Sequence, residues 1–113
     1  MKAYGLKKCS TCQKALDHLA AKKVQVVFTD HSVSPPTKDQ VAGWSKALGG
    51  WEKMINRAGY TWRGLPKSEI EDLTEARAVA LAVKHPSLIR RPLIEHDDGS
   101  VTVGFAEKVK ALF

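Results

Sequence analysis

Lys2-Ala3-Tyr4-Gly5-Leu6-Lys7-Lys8-Cys9-Ser10-Thr11-Cys12-Gln13-Lys14-Ala15-Leu16 is the stretch that decides the reading of this chain, because two structural periods meet in it. Lys2 to Leu6 reads as a short strand, with Gly5 letting neighbouring backbone come close. From Ser10 the apolar positions recur at helical spacing. Cys12, Leu16 and Leu19 fall on one face with Ala15 and Ala20, and Lys22-Lys23 suits the negative end of the helix dipole. Val24 to Asp30 is β-branched and apolar, with Val24, Val26 and Phe28 in step, which predicts a second strand. Strand, helix and strand within about thirty residues make a βαβ unit, for which a right-handed crossover is expected.

The chain has two cysteines, and both lie where the first strand hands over to the first helix. A sulfur at a helix amino terminus meets unpaired N–H groups and the positive end of the dipole, which favour an anion. Cys9 is therefore predicted to ionise readily, and Lys7 and Lys8 add positive potential. Cys12 follows one helical turn later, within reach of a disulfide with Cys9 but turned toward the apolar face. The spacing makes Cys9 the exposed, activated thiol and Cys12 a half-buried resolving thiol. Free cysteine is also commonly a small core residue, and that alternative stays open at this point. Two thiols without nearby His or acidic partners cannot complete a tetrahedral zinc site. His18, His31, His85 and His96 are too dispersed to form a ligand cluster; no metal or bound cofactor is expected.

Beyond the second strand the texture changes. Ser34-Pro35-Pro36 ends the extended piece, and Thr37-Lys38-Asp39-Gln40 is a capping box opening a helix through Val41, Trp44 and Leu48. Gly49-Gly50 stops it. Trp51, Met54 and Ile55 form a short helical face. Ala76, Val79, Ala80 and Val83 predict another helix, closed by Pro86. Pro92 to His96 returns to strand. Asp98-Gly99 is a two-residue hairpin signal, Val101-Thr102-Val103 its partner strand, and Phe105, Val109 and Leu112 the buried stripe of a last helix. Without its helical middle the order is βαβ then ββα, that of the thioredoxin fold. The reading is an α/β, thioredoxin-like domain with a four-stranded mixed sheet. Residues 1–34 and 90–113 form its core, and residues 35–89 an inserted all-helical subdomain of the same single domain.

Charge and composition narrow the function. Eighteen Lys and Arg against twelve Asp and Glu leave a net charge of +6 over 113 residues, which favours anionic partners. The cations are scattered, so no direct nucleic-acid face is expected. No apolar run approaches the length of a membrane span, and Met1-Lys2-Ala3-Tyr4 does not open a secretory signal; a cytoplasmic monomer is expected. Ile89-Arg90-Arg91-Pro92-Leu93-Ile94 is the second candidate feature. Proline marks a strand edge or a special turn, and adjacent arginines can present a bidentate donor set to a carboxylate or oxyanion. Asn56-Arg57 is a weaker signal, and Trp62-Arg63 suggests cation–π packing.

Five stretches together resemble a known family: Tyr4 to Cys9, Trp51 to Arg57, Tyr60-Thr61-Trp62-Arg63-Gly64-Leu65-Pro66, His85 to Leu93, and Val103-Gly104-Phe105. They are similar to the arsenate reductase (ArsC)/Spx/MgsR family, the tryptophan-rich middle most of all to its YffB-like branch, and the likeness spans essentially the whole chain. The resemblance implies that Cys9 is the nucleophile and Arg91 an oxyanion-binding residue. It further implies that Arg57 matches a second arginine of the reductases and that the peptide bond before Pro92 is cis. Candidate catalytic residues are thus Cys9, Cys12 and Arg91; candidate substrate- or anion-binding residues are Lys8, Arg57, Arg91 and Pro92.

Two positions depart from the reductase pattern. Gly5 stands where those enzymes have a histidine four residues before the nucleophile, and Gly104-Phe105 where they carry a third anion-binding arginine. One charge-assisted donor lost from a buried anion site costs on the order of 1.5–3 kcal/mol. The expectation is a thiol-disulfide oxidoreductase using glutathione as co-substrate, with a small thiol, disulfide or anionic substrate. The alternatives are an Spx/MgsR-type redox regulator binding the RNA polymerase α subunit and, third, an arsenate reductase.

Overall fold

Strand β1 (Lys2–Gly5) is the centre from which the sheet grows. It pairs in parallel with β2 (Val27–Asp30), Lys2 opposite Val27 and Gly5 opposite Asp30, and antiparallel with β3 (Leu93–Glu95), Ala3 opposite Ile94. Strand β4 (Val101–Val103) closes the far edge against β3, giving the order β2-β1-β3-β4. Helix α1 (Ser10–Ala21) connects β1 to β2. The computed structural model describes Met1–Phe113. Within it the chain divides into two units, Met1–Ser34 with Arg90–Phe113, and Pro35–Ile89.

The sheet unit has the βαβ-then-ββα order and the mixed four-stranded sheet of a thioredoxin-like fold. Its interior is built from Ala3 and Tyr4 of β1, Cys12, Ala15 and Leu19 of α1, and Leu93 and Ile94 of β3. The side chains of Leu93 and Ile94 point to opposite faces of their strand, and both are fully buried, so β3 is covered on both sides. Each such aliphatic side chain contributes about 1.5–3 kcal/mol of burial.

The second unit is all-helical: α2 (Lys38–Leu48), α3 (Trp51–Met54), α4 (Tyr60–Arg63), α5 (Lys67–Ile70) and α6 (Glu75–Lys84), then a 3₁₀ turn at Pro86–Leu88. The capping box opens α2 through Thr37 and Gln40, and Gly49 ends it in the left-handed region at φ 91°. Ser45 Oγ donates to Glu75 Oε2 at 2.5 Å and the Trp51 N–H to Glu75 Oε1 at 3.2 Å, tying α2, α3 and α6 through one carboxylate. Val41, Trp44, Met54, Ile55, Val79, Leu88 and Ile89 fill the core.

Several elements differ from expectation for identifiable reasons. Strand β2 begins at Val27 rather than Val24, because β1 begins at Lys2 and leaves the earlier residues without a partner. Helix α6 buries Ala78, Val79, Leu81 and Ala82 rather than a stripe through Ala76, Ala80 and Val83. Its run is almost wholly apolar, so several stripes fit the pattern, and the one holding Leu81 turns inward. The hairpin loop has three residues, 97–99: the His96 N–H donates to Ser100 O and the Gly99 N–H to His96 O, with Gly99 at φ 88°. The last helix, α7 (Glu107–Lys110), buries no residue, and Leu112 is 60 % exposed. Phe105 precedes α7 and meets His18 edge-on at 5.5 Å. No helix is long and apolar enough to cross a membrane.

Candidate thiol site at the start of the first helix

Cys9 is the N-cap of α1, with extended backbone angles of φ −81° and ψ 122°. The loop before it is gripped from both sides. The Lys7 N–H donates to Asp30 Oδ2 at 2.9 Å, and Gln13 Nε2 donates to the Lys7 carbonyl at 2.8 Å. The Cys9 N–H donates to Leu6 O at 3.1 Å, and the Gln13 N–H to Cys9 O at 3.0 Å. Asp30 also accepts from the Ser32 N–H and hydroxyl, and these bonds, with that from Lys7, hold its carboxyl at about 2. Neither Asp30 nor Gln13 was singled out by sequence. The available signal was an Asp-x-Ser turn at the end of the second strand.

The two sulfurs differ sharply. Cys12 is fully buried rather than half-buried, since its face of α1 packs against β1. Burial is the largest influence on it; with the thiol's hydrogen bond to Cys9 and the negative charge there, it raises the pKa to about 11. Cys9 remains partly exposed. Burial is the largest single influence here too and would raise it. The Cys12 N–H, the Cys12 thiol, the Arg91 charge and the Thr11 N–H together outweigh burial, and the pKa falls below the ordinary value. Arg91 supplies a positive charge that lowers the Cys9 pKa, and Lys7 and Lys8 are exposed.

Arg91 is half-buried and Arg90 exposed. The Arg91–Pro92 peptide bond is cis. Pro92 is buried, and its carbonyl accepts the Gly104 N–H at 3.0 Å. It precedes an interior strand rather than an edge, at the position where a missing donor costs no ladder bond. His31, which the sequence left unassigned, is 2 % exposed and stacks on Tyr4 with centroids 6.2 Å apart. Its backbone N–H donates to Gly5 O at 2.8 Å. Burial first, then the Arg91 charge, lower its pKa against the pull of Asp30.

Arg57 lies in the helical unit, exposed, with its guanidinium 5.4 Å from the Trp51 ring centroid. Arg63 stands over Tyr60 at 5.6 Å, not over Trp62. Residues three apart share a helix face and neighbours do not. No group of three or more His, Cys, Asp or Glu side chains is placed to hold a metal ion.

Chemically, the sheet unit brings together a sulfur of lowered pKa, a protonated sulfur one turn later and a guanidinium. Such a set can attack a disulfide, hold an anion beside it and supply a second thiol.

Comparison with known proteins identifies the family and the fold. A family model described as the ArsC family matches residues 4–112. The solved structure of a YffB protein is 35 % identical, superimposes with a TM-score of 0.89, and covers 98 % of this chain and 96 % of that one. An arsenate reductase (ArsC) related protein from Brucella melitensis is 30 % identical with a TM-score of 0.77, covering 99 % of this chain and 92 % of that one. The global transcriptional regulator Spx of Streptococcus pyogenes is 31 % identical over 102 residues, 88 % of this chain and 73 % of the regulator.

Proposed function

This chain belongs to the ArsC family, and from that premise we propose that it is a glutathione-dependent thiol reductase whose nucleophile is Cys9. Its oxidoreductase-like fold is shared with the family. The observation that carries the finer reading is the separation of the two sulfurs: the Cys9 pKa is lowered, while Cys12, three residues on, is raised to about 11. One turn of helix thus holds a ready nucleophile beside a thiol kept in reserve.

In this reaction the Cys9 thiolate attacks one sulfur of a substrate disulfide and the other leaves as a thiolate. Arg91 holds a substrate carboxylate or the developing negative charge. Glutathione, or Cys12, then attacks the mixed disulfide and frees the second half of the substrate. Lys8 enters as a further anion-binding group and Pro92 as a wall beside Arg91; Arg57 is a candidate anion-binding group of the helical unit. The protein acts as a cytoplasmic monomer without a bound cofactor. Replacing Cys9 by Ser abolishes turnover in a glutathione-linked disulfide reduction assay; retained turnover rules the mechanism out.

A second reading has its own observation. The Cys9-x-x-Cys12 pair stands in a chain 31 % identical to the Spx regulator. In that reading the pair is a redox switch controlling docking on the RNA polymerase α subunit. Capture of α subunit by the reduced form but not the oxidised form, or the reverse, supports it; redox-independent capture, or none, dismisses it. Arsenate reduction ranks third, since Gly5 and Gly104-Phe105 depart from the reductase pattern; arsenite production with glutathione and glutaredoxin tests it.

A further inference from the structure

Gly5 ends β1 in a buried position, and its backbone is not in the left-handed region that calls for glycine. Glycine inside a strand weakens it, so its presence has another cause. A Cβ at this position would lie 2.5 Å from Cys12 Sγ, closer than real side chains tolerate. The next nearest atoms, Arg91 Cβ and Phe28 Cε1, are at 3.7 Å, ordinary van der Waals contact. The sequence reading gave Gly5 the task of admitting neighbouring backbone, but the atom it admits is a sulfur.

We infer that Gly5 is the positioning residue for the second thiol: its missing side chain is the space that seats Cys12 Sγ against Cys9, so Gly5 sets resolution by Cys12 ahead of release by an external thiol. Cysteine has a single side-chain torsion, and Cys12 hangs fully buried from α1. Its sulfur cannot recede along a flexible stem as a lysine head could. Crowded by a Cβ, it swings to another rotamer and leaves Cys9. Misplacing a reacting group by about 1 Å costs on the order of 100-fold in rate.

The inference rests on the thiol-exchange reading. In the step concerned, the Cys9 thiolate attacks R–S–S–R′, forming Cys9–S–S–R and releasing R′–S⁻, which takes the Cys12 proton. The Cys12 sulfur then attacks Cys9 Sγ, closing the internal disulfide and expelling R–S⁻, which is protonated by water. The dithiol has given two electrons to the substrate disulfide. Two equivalents of a low-molecular-weight thiol restore it.

Four forms of the full chain test this: wild type, Gly5→Ala, Cys12→Ala and the double variant. Each is reduced, exposed to oxidised glutathione, acid-quenched over time and assayed by mass spectrometry for Cys9–glutathione against Cys9–Cys12 disulfide, with a thermal melt alongside. Gly5→Ala is expected to accumulate the mixed disulfide and close the internal one about 10- to 100-fold more slowly. Its lowered melting temperature is restored in the double variant to that of Cys12→Ala, because the alanine has room once the sulfur is gone. If Gly5→Ala alone does not fold, recovery of folding in the double variant supports the inference and its failure overturns it. Closure by Gly5→Ala at the wild-type rate, or a Gly5→Ala melting penalty that persists without the Cys12 sulfur, overturns it while leaving thiol exchange intact. Wild-type Cys9 that takes up no glutathione overturns both.

Discussion

Replacing Cys9 by Ser isolates the second sulfur and exposes what its partner does to it. In the wild-type protein the Cys12 pKa stands at about 11 against an ordinary 9.0, with burial the largest cause and the hydrogen bond and charge of Cys9 adding to it. Two pKa units cut the thiolate fraction about 100-fold. A high-pKa thiolate is intrinsically more nucleophilic, which returns up to about tenfold, so ionisation alone leaves Cys12 at least about tenfold slower than an ordinary cysteine. Enclosure slows it further. Cys9→Ser removes the negative charge of Cys9, keeps an oxygen that can accept the thiol's hydrogen bond, and leaves burial. Cys12 should therefore alkylate faster in the variant than in the wild type, yet still more slowly than a free cysteine. Timed iodoacetamide labelling near pH 8, quenched and resolved by peptide mass spectrometry, reads both rates. A Cys12 rate unchanged by the substitution would refute the coupling, and a rate equal to free cysteine would refute the burial.

Arg91→Met removes a cation acting on Cys9. It should slow Cys9 alkylation at neutral pH by roughly 2- to 5-fold, as befits a partly exposed charge pair worth up to about 1 kcal/mol. Arg91→Lys should restore most of the rate, and equal rates in all three proteins would contradict the assignment. Asp30→Ala frees the Lys7 amide, so its hydrogen exchange should accelerate. Because the Asp30 pKa is depressed to about 2, the wild-type clamp holds above the ordinary carboxyl range and fades as pH falls toward 2. Unchanged Lys7 exchange in the variant would show that the loop holds itself. At the alkaline end, Cys12 is raised to about 11 and Tyr4 to about 12, the latter by burial and then by the Glu95 charge and hydrogen bond. Both folded-state values lie above the unfolded ones. Their stabilisation is thus fully present below about pH 9 and is lost as pH rises through 11 to 12. Urea unfolding across that range should show the loss, and Tyr4→Phe should shrink it; a Tyr4→Phe profile superimposable on the wild type would exclude Tyr4.

What could be read in advance was what a few neighbouring residues determine alone. Thr37 and Gln40 close a capping box whatever surrounds them, Gly49 ends α2 by its own conformational freedom, and the Cys9–Cys12 spacing fixes a helical turn. Elements set by distant partners were misplaced. The start of β2 depends on where β1 begins, and the inward stripe of α6 depends on what packs against Leu81. The four-residue helices α4 and α5 are too short to build a period. At the site, Cys9 and Cys12 were legible because they are local. Reading along the chain offers Lys7 and Lys8 as the charges next to Cys9, whereas Arg91 reaches the sulfurs only through the fold. The fit of Gly5 to Cys12 Sγ is likewise tertiary, and no sequence pattern announces it.

The central claim is that Cys9 is the more acidic and the more reactive of the two thiols. Its most direct test is the pH dependence of iodoacetamide labelling of the reduced wild-type protein, with each modified cysteine identified by mass spectrometry. The account predicts that Cys9 is labelled first, with a midpoint below that of an unstructured cysteine peptide titrated alongside. A midpoint at or above that value, or labelling of Cys12 first, would contradict it.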